Sequence, residues 1–351
     1  MEQISLQELS DILVHFLYRF PYQDEACLPR SDFKAIYDHG RKVFPEGEEI
    51  VRMMSEYAHD SFPFIPLEVR KAAAVYDAYQ MSVDDMDSDE HNNLSGLCSQ
   101  LSERSEIEHP VWRGFFKSLP TLLQYYGPYS QTTLLRGALE FLQATTVERT
   151  HFRGYSGSRY PDYVRRMSAQ GAVQAAVCFP EKEFPGEKYL PSIASMEAEL
   201  EEFVGTVNDL FSFYKEGHNT ATDRINYTLN TSACTGYTPG EVLYELSEIA
   251  LKCQSRVREM LESAGEHRIR QRVDEFFLGY VRYHLACPRY RIDELCAESG
   301  DLDLLAYYNM SLRAVGISQG PFVPVRPRPR GELVSKYSGT KVSITPHYVC
   351  Q

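Results

Sequence analysis

Residues 208–216 read Asn-Asp-Leu-Phe-Ser-Phe-Tyr-Lys-Glu. Asn208, Ser212 and Glu216 recur every fourth residue, a spacing that stacks an amide oxygen, a hydroxyl and a carboxylate on one face of an α-helix. These are hard oxygen donors suited to Mg²⁺, and Lys215 lies beside them, placed to meet an anion. Far upstream, residues 84–90 read Asp-Asp-Met-Asp-Ser-Asp-Glu, a second oxygen-rich cluster. Two such clusters point to a cavity in which metal ions hold a diphosphate between two helices.

Plainer readings compete. An Asn/Ser/Glu row is usually a solvated helix face, but Val204, Val207, Leu210, Phe211 and Tyr214 leave little of this helix polar. Polar groups on a mostly apolar helix line something internal, where they need partners. The acidic run could be a solvated helix end. Asp85, Asp87 and Asp89 also match the opening of an EF-hand loop, but that loop needs Gly and Glu where Glu90 and Gly96 stand.

The elements that must position these residues are helical. Apolar side chains step by three or four through 5–20, and helices are expected at 47–60, 67–86, 111–124, 131–149, 161–178, 192–216, 239–264 and 267–286. The aspartates then sit at the C-terminal end of the 67–86 helix. There the helix dipole disfavours negative charge, so bound cations would relieve the cluster. Strand patterns are weak, and breakers such as Pro110, Gly127-Pro128, Pro180, Pro185-Gly186 and Pro239-Gly240 fall between helices or at their starts. The expectation is an all-α bundle of roughly ten helices, with residues 1–315 as one domain. Residues 316–351 form a tail of different character. They carry Arg326, Arg328, Arg330, Lys336 and Lys341 against Glu332 alone, and prolines hold the Arg-rich part extended. Two readings stay open: a flexible tail, or a flap over the diphosphate site formed by 321–341.

The 351 residues are 43% hydrophobic, enough for a sizeable core, and carry a net charge of −13. That charge argues against nucleic acid as a partner, and an anionic substrate must be held by local cations and metal ions. The eight cysteines are scattered without a C-x₂-C pair, so no disulfide framework is expected. The N-terminal segment lacks the pattern of a signal peptide, and no apolar stretch is long enough to span a bilayer. A cytoplasmic location is expected.

With these residues in view, the chain resembles the class I terpene cyclases, and among them the fungal trichodiene synthase-like sesquiterpene cyclases. The stretch NDLFSFYKE matches the family's second metal motif in full, and Asp84-Asp85 matches its aspartate-rich segment. Arg165, opening Arg-Arg-Met, stands at the family's spacing from Asn208, and Arg289-Tyr290 in HLACPRYR matches the late pair that grips diphosphate. HPVW at 109–112 and FPEKEF at 179–184 keep the family's order. Ser88 departs from a full D-D-x-x-D, leaving an auxiliary ligand open between Asp87 and Asp89.

The resemblance implies a class I terpene synthase helical bundle around a central cavity. It implies Asp84, Asn208, Ser212 and Glu216 as ligands to three Mg²⁺ ions, and Arg165, Lys215, Arg289 and Tyr290 as the diphosphate grip. It also implies an Asp85–Arg289 ion pair on closure, and farnesyl diphosphate as the substrate of a Mg-dependent lyase reaction in fungal secondary metabolism. A homodimer is open as the assembly state. Tyr76, Tyr79, Phe115, Phe141, Phe211 and Tyr283 are candidates for aromatic cavity walls, with core packing as their other reading. Trp112 is read as structural and His284 as a buried packed histidine, with a place near the pocket roof as its other reading. Trichodiene, or a polycyclic alcohol such as longiborneol formed by water capture, are both open as products. The alternatives are a trans-prenyltransferase of the same fold, though Asp-Asp occurs only once, and a non-catalytic helical protein.

Overall fold

In a computed structural model of the chain, the described residues are 4–23, 26–84, 96–217, 226–317 and 331–337. They form sixteen α-helices and one 3₁₀ turn, with no strand among the described residues. In order these are α1 (Leu6–Arg19), α2 (Arg30–Val43), α3 (Glu48–Ser61), α4 (Leu67–Asp84), α5 (Leu97–Glu103), α6 (Pro110–Leu123), α7 (Pro128–Glu148) and α8 (Tyr160–Ser168). Then follow α9 (Gly171–Val177), α10 (Gly186–Gly217), α11 (Tyr227–Thr235), α12 (Pro239–Ser263), α13 (His267–Ala286), the 3₁₀ turn Pro288–Tyr290, α14 (Ile292–Ser299), α15 (Leu302–Ala314) and α16 (Gly331–Tyr337). The all-α expectation holds. The count of roughly ten falls short because most of the additional helices are only two to four turns long, and such short runs give weak periodicity.

Helix starts follow local chemistry. Ser5 caps α1, Asn226 caps α11, and Thr238 with Glu241 closes a capping box at α12 just ahead of Pro239. The long helices α10 and α12 pack side by side. The chain of neighbours α3–α4–α7–α9–α10–α13 returns to α3, so these helices form a ring. Aromatic side chains hold it together: Phe62 stacks on Phe276, and Phe203 tilts against Phe277 at 4.4 Å. Trp112 is fully buried against Phe115 and Phe116, the structural role expected of it.

Two glycines set how closely the ring closes. A Cβ at Gly279 on α13 would lie 2.5 Å from the Ser61 carbonyl oxygen, at the end of α3. A Cβ at Gly171 would lie 2.4 Å from the Glu201 carbonyl oxygen on α10. Both contacts are with backbone, so a side chain could be accommodated only by moving a helix.

The 161–178 segment departs from expectation. It is two helices, broken where Gln170 takes a left-handed conformation, φ +52°. Gly171 follows directly, and the break lets α9 turn flat against α10. Helical spacing on both sides of the break hides it from a periodicity reading.

Beyond Ile317 the tail is described only at α16. There Leu333 and Tyr337 are buried, Tyr337 stacks on Tyr244 of α12, and Lys336 and Tyr337 both donate to the Glu8 carboxylate of α1. Neither reading of the tail includes a helix at this point, and its contacts are with α1 and α12. The rest of the expected 321–341 flap lies outside the described residues. The seven cysteines that are described are free thiols, and no helix of the described residues is long and apolar enough to cross a membrane.

The close approach at Gly171 yields a stability prediction. Gly171→Ala should destabilise the fold by about 1–3 kcal/mol, the usual cost of forcing a group into a packed interface, read as a lower urea midpoint with an unchanged slope. An unchanged midpoint would mean that α9 and α10 can separate freely.

Candidate active site

A cavity of about 740 Å³ occupies the centre of the ring. Arg165, Asn208, Lys215, Glu216, Arg289 and Tyr290 all line it. Residues from α8, α10 and the 3₁₀ turn therefore meet, although they lie far apart in sequence.

Asn208 is the centre of this cluster. Its amide oxygen accepts from Arg165 Nη2 at 2.6 Å, while its amide nitrogen donates to Tyr290 Oη at 3.1 Å and lies 3.2 Å from His284 Nε2. The other ring nitrogen of His284 is 2.8 Å from the Tyr280 carbonyl oxygen. A carbonyl can only accept, so Nδ1 carries the proton and Nε2 is the acceptor for Asn208. Burial, helped by the charges of Lys215 and Arg165, lowers the His284 pKa to about 3, which keeps the ring neutral and in this tautomer. His284 is packed among Tyr280, Tyr283 and Tyr290, as expected, but it also aims the Asn208 oxygen.

Arg165 is oriented by a second contact. Its Nε donates to Asp209 at 3.0 Å. Burial opposes the guanidinium charge, but the Asp209 carboxylate beside it holds the pKa above its ordinary value, so Arg165 stays cationic. Sequence reasoning gives Asp209 no role of its own. Its position next to Asn208 is the signal that points to it.

One and two turns further along α10, the Ser212 hydroxyl donates to Glu216 Oε2 at 3.2 Å, and Lys215 Nζ lies 3.0 Å from Glu216 Oε1. Lys215 also stands 5.5 Å over the Tyr290 ring. Arg289 reaches the cavity with Nη1 3.7 Å from Met53 Sδ. Asp84 closes α4, where Arg149, another cavity residue, donates to the Val83 carbonyl at 2.9 Å. Asp85, Asp87 and Asp89 lie outside the described residues, and with them the Asp85–Arg289 pair. Among the described residues no three His, Cys, Asp or Glu side chains gather into a metal site. The oxygen row of Asn208, Ser212 and Glu216 still has the donor chemistry for a hard cation.

Of the six aromatic candidates, Phe141 and Tyr283 line the cavity. Tyr76, Tyr79, Phe115 and Phe211 are not among the lining residues and take the core-packing reading also held for them. Tyr76 donates to the Leu134 carbonyl, Tyr79 stacks on Phe44, Phe115 packs edge-on against Tyr76 and Trp112, and Phe211 meets Phe16. Asp77, Gln80 and Met81 occupy the cavity face of α4; the helical period turns Tyr79 away from it, and Tyr76, at the edge of that face, spends its hydroxyl on the α7 backbone. Tyr57, Tyr227 and Tyr280 supply cavity aromatics that sequence reasoning does not single out.

Comparison with known proteins agrees with this geometry. The trichodiene synthase (TRI5) family model matches residues 42–316. The chain is 28% identical over 229 residues to trichodiene synthase of Paramyrothecium roridum, covering 65% of this chain and 59% of that protein. It is 29% identical over 231 residues to trichodiene synthase of Gibberella zeae, covering 66% and 61%. The matched region thus spans about three fifths of these relatives' length. Among solved structures, linalool/nerolidol synthase from Streptomyces clavuligerus superposes with a TM-score of 0.52 at 14% identity, covering 75% of this chain and 98% of that one. A point variant of cucumene synthase gives 0.50 at 17%, covering 74% and 95%. The superpositions speak for the class I terpene synthase fold, and the family model, matching most of the chain, settles its kinship: the protein belongs to the trichodiene synthase family.

Proposed function

We propose that this protein is a sesquiterpene cyclase that ionises farnesyl diphosphate and cyclises the resulting cation. The observation that carries this reading is the convergence of Arg165, Lys215, Arg289 and Tyr290 with Asn208 and Glu216 on one cavity, with Ser212 buried behind its lining and bonded to Glu216, in a member of a family whose matched relatives are named trichodiene synthases. The cavity volume of about 740 Å³ is in the range of small-molecule sites, about 300–1,000 Å³.

The chain's own residues divide the work. Arg165, fixed by Asp209, and Lys215, Arg289 and the Tyr290 hydroxyl supply donors to the diphosphate, so that its departing charge meets preorganised positive ends. Asn208, Ser212 and Glu216, with Asp84 of the acidic segment, would hold Mg²⁺. Bound there, the ion supplies Lewis-acid stabilisation of the leaving group. By resemblance to the family, Asp85 would pair with Arg289 when the site closes. The carbocation left behind faces the aromatic rings of Tyr57, Phe141, Tyr280 and Tyr283, whose π-faces attract positive charge.

Two measurements test this reading. Removing the carboxylate in Glu216→Ala should lower the rate of diphosphate release from farnesyl diphosphate by about 100-fold or more, with an unchanged far-UV spectrum, and EDTA should abolish turnover of the intact chain. Full activity under either condition would refute the metal site. His284→Phe preserves a buried ring but removes the acceptor that aims Asn208. The Mg²⁺ concentration for half-maximal rate should rise about 10–100-fold, as for other residues that orient a metal ligand. A lower rate at unchanged Mg²⁺ dependence would assign His284 to packing alone.

A further inference from the structure

The wall of the cavity formed by α4 and the α8–α9 break is polar. Asp77 and Gln80 stand one turn apart on α4, and Gln170 and Gln174 stand one turn apart across from them. Gln174 Nε2 donates to Asp77 Oδ1 at 3.2 Å, and Gln170 Nε2 donates to Gln80 Oε1 at 3.3 Å, making two rungs between the helices. All four residues line the cavity, with relative exposures of 7%, 3%, 9% and 7%. Each keeps one polar atom without a hydrogen-bond partner: Asp77 Oδ2, Gln80 Nε2, Gln170 Oε1 and Gln174 Oε1. Buried polar atoms left in this state are costly and are normally satisfied by protein or by ordered water. Gln170 is held here by a left-handed backbone, rare for a residue with a side chain and frequent at functional sites.

We infer that Asp77, Gln80, Gln170 and Gln174 hold an ordered water that captures a carbocation in the cavity, so that the chain forms a terpene alcohol. This rests on the farnesyl diphosphate chemistry proposed above. The unpartnered atoms are one donor, Gln80 Nε2, and three acceptors. A water can accept from Gln80 and donate to two of the acceptors, which leaves one lone pair for the cavity. That lone pair becomes the new C–O bond to the cationic carbon. The oxonium then loses one proton to Asp77 Oδ2, giving a neutral alcohol, with water as the only co-reactant. Burial lifts the Asp77 carboxyl to about 7, against the pull of the Gln174 amide. The group can therefore both accept that proton and release it on product exit at neutral pH. The site would make these four residues determinants of product class, acting after ionisation and apart from the diphosphate grip.

The test uses the full chain with farnesyl diphosphate and Mg²⁺ in oxygen-18 water, following diphosphate release and identifying volatiles by mass spectrometry. The expected main product is an alcohol carrying the heavy oxygen. Gln80→Leu/Gln174→Leu, which keeps side-chain bulk, should still release diphosphate while its ratio of alcohol to hydrocarbon falls about tenfold or more. A purely structural wall would lower the melting temperature and all products together, leaving that ratio unchanged. Diphosphate release with hydrocarbons only from the wild-type chain overturns the inference, as does a double variant with the wild-type ratio. Should the double variant not fold, single Gln80→Leu carries the same comparison. A wild-type chain that releases no diphosphate refutes the cyclase reading itself and this inference with it.

Discussion

Polar groups on α10 have been carried into the middle of the bundle, and each must find a partner there. Asn208, Asp209 and Ser212 share their helix with fully buried Phe203, Val207 and Phe211. An unpaired amide or carboxylate in such surroundings costs about 1–3 kcal/mol or more. The pairing solution brings Arg165 from α8, His284 from α13 and Tyr290 from the 3₁₀ turn to a single residue, Asn208. Satisfying those hydrogen bonds and assembling the site are one event. This is why a cluster drawn from three distant segments can be rigid before any ligand arrives.

The apolar framework makes that convergence geometrically possible. Stacked and edge-on aromatics between α3, α10 and α13 fix the ring, and the glycines at 171 and 279 remove the side chains that would keep helices apart. The cavity is therefore the space that the close-packed helices enclose. Its two chemical regions face different demands. The end built on α10 and the 3₁₀ turn presents cations and oxygen donors suited to a diphosphate. The α4 and α9 wall presents a small patch of paired amides and a carboxylate among aromatic rings. A reactive cation released at the first region would travel only the width of the cavity to meet the second.

This arrangement also bears on selectivity within the family. The diphosphate end depends on residues whose motif spacing is readable in the chain. The polar wall of α4 and the α8–α9 break depends on side chains that nothing in that motif specifies. On the function proposed above, substitution at Asp77, Gln80, Gln170 or Gln174 would alter what the cation meets while leaving the Arg165–Asn208–Tyr290 hydrogen bonds in place, so that product identity and ionisation would vary separately.

The sequence by itself determined the helical class and the oxygen row on α10, because helical periodicity acts locally along the chain, while Arg165, Arg289 and Tyr290 came into view as expected partners of one anion only through the family resemblance. Sequence reasoning singled out neither Asp77 nor Gln80, although both lie on the Asp84 face of α4, at helical intervals of seven and four residues. It could not say that this face looks into the cavity while Tyr76 and Tyr79 look away from it. That depends on the rotation of α4 against α3, α6 and α7, a matter of side-chain packing between segments remote in sequence. The break at Gln170 was hidden for the same reason: its left-handed turn stands beside the close approach of Gly171 to the Glu201 backbone, a contact between segments remote in sequence. The aim of His284 at Asn208 likewise arises only once α13 is docked on α10. Local periodicity fixes which residues share a face, and only tertiary packing decides what that face meets.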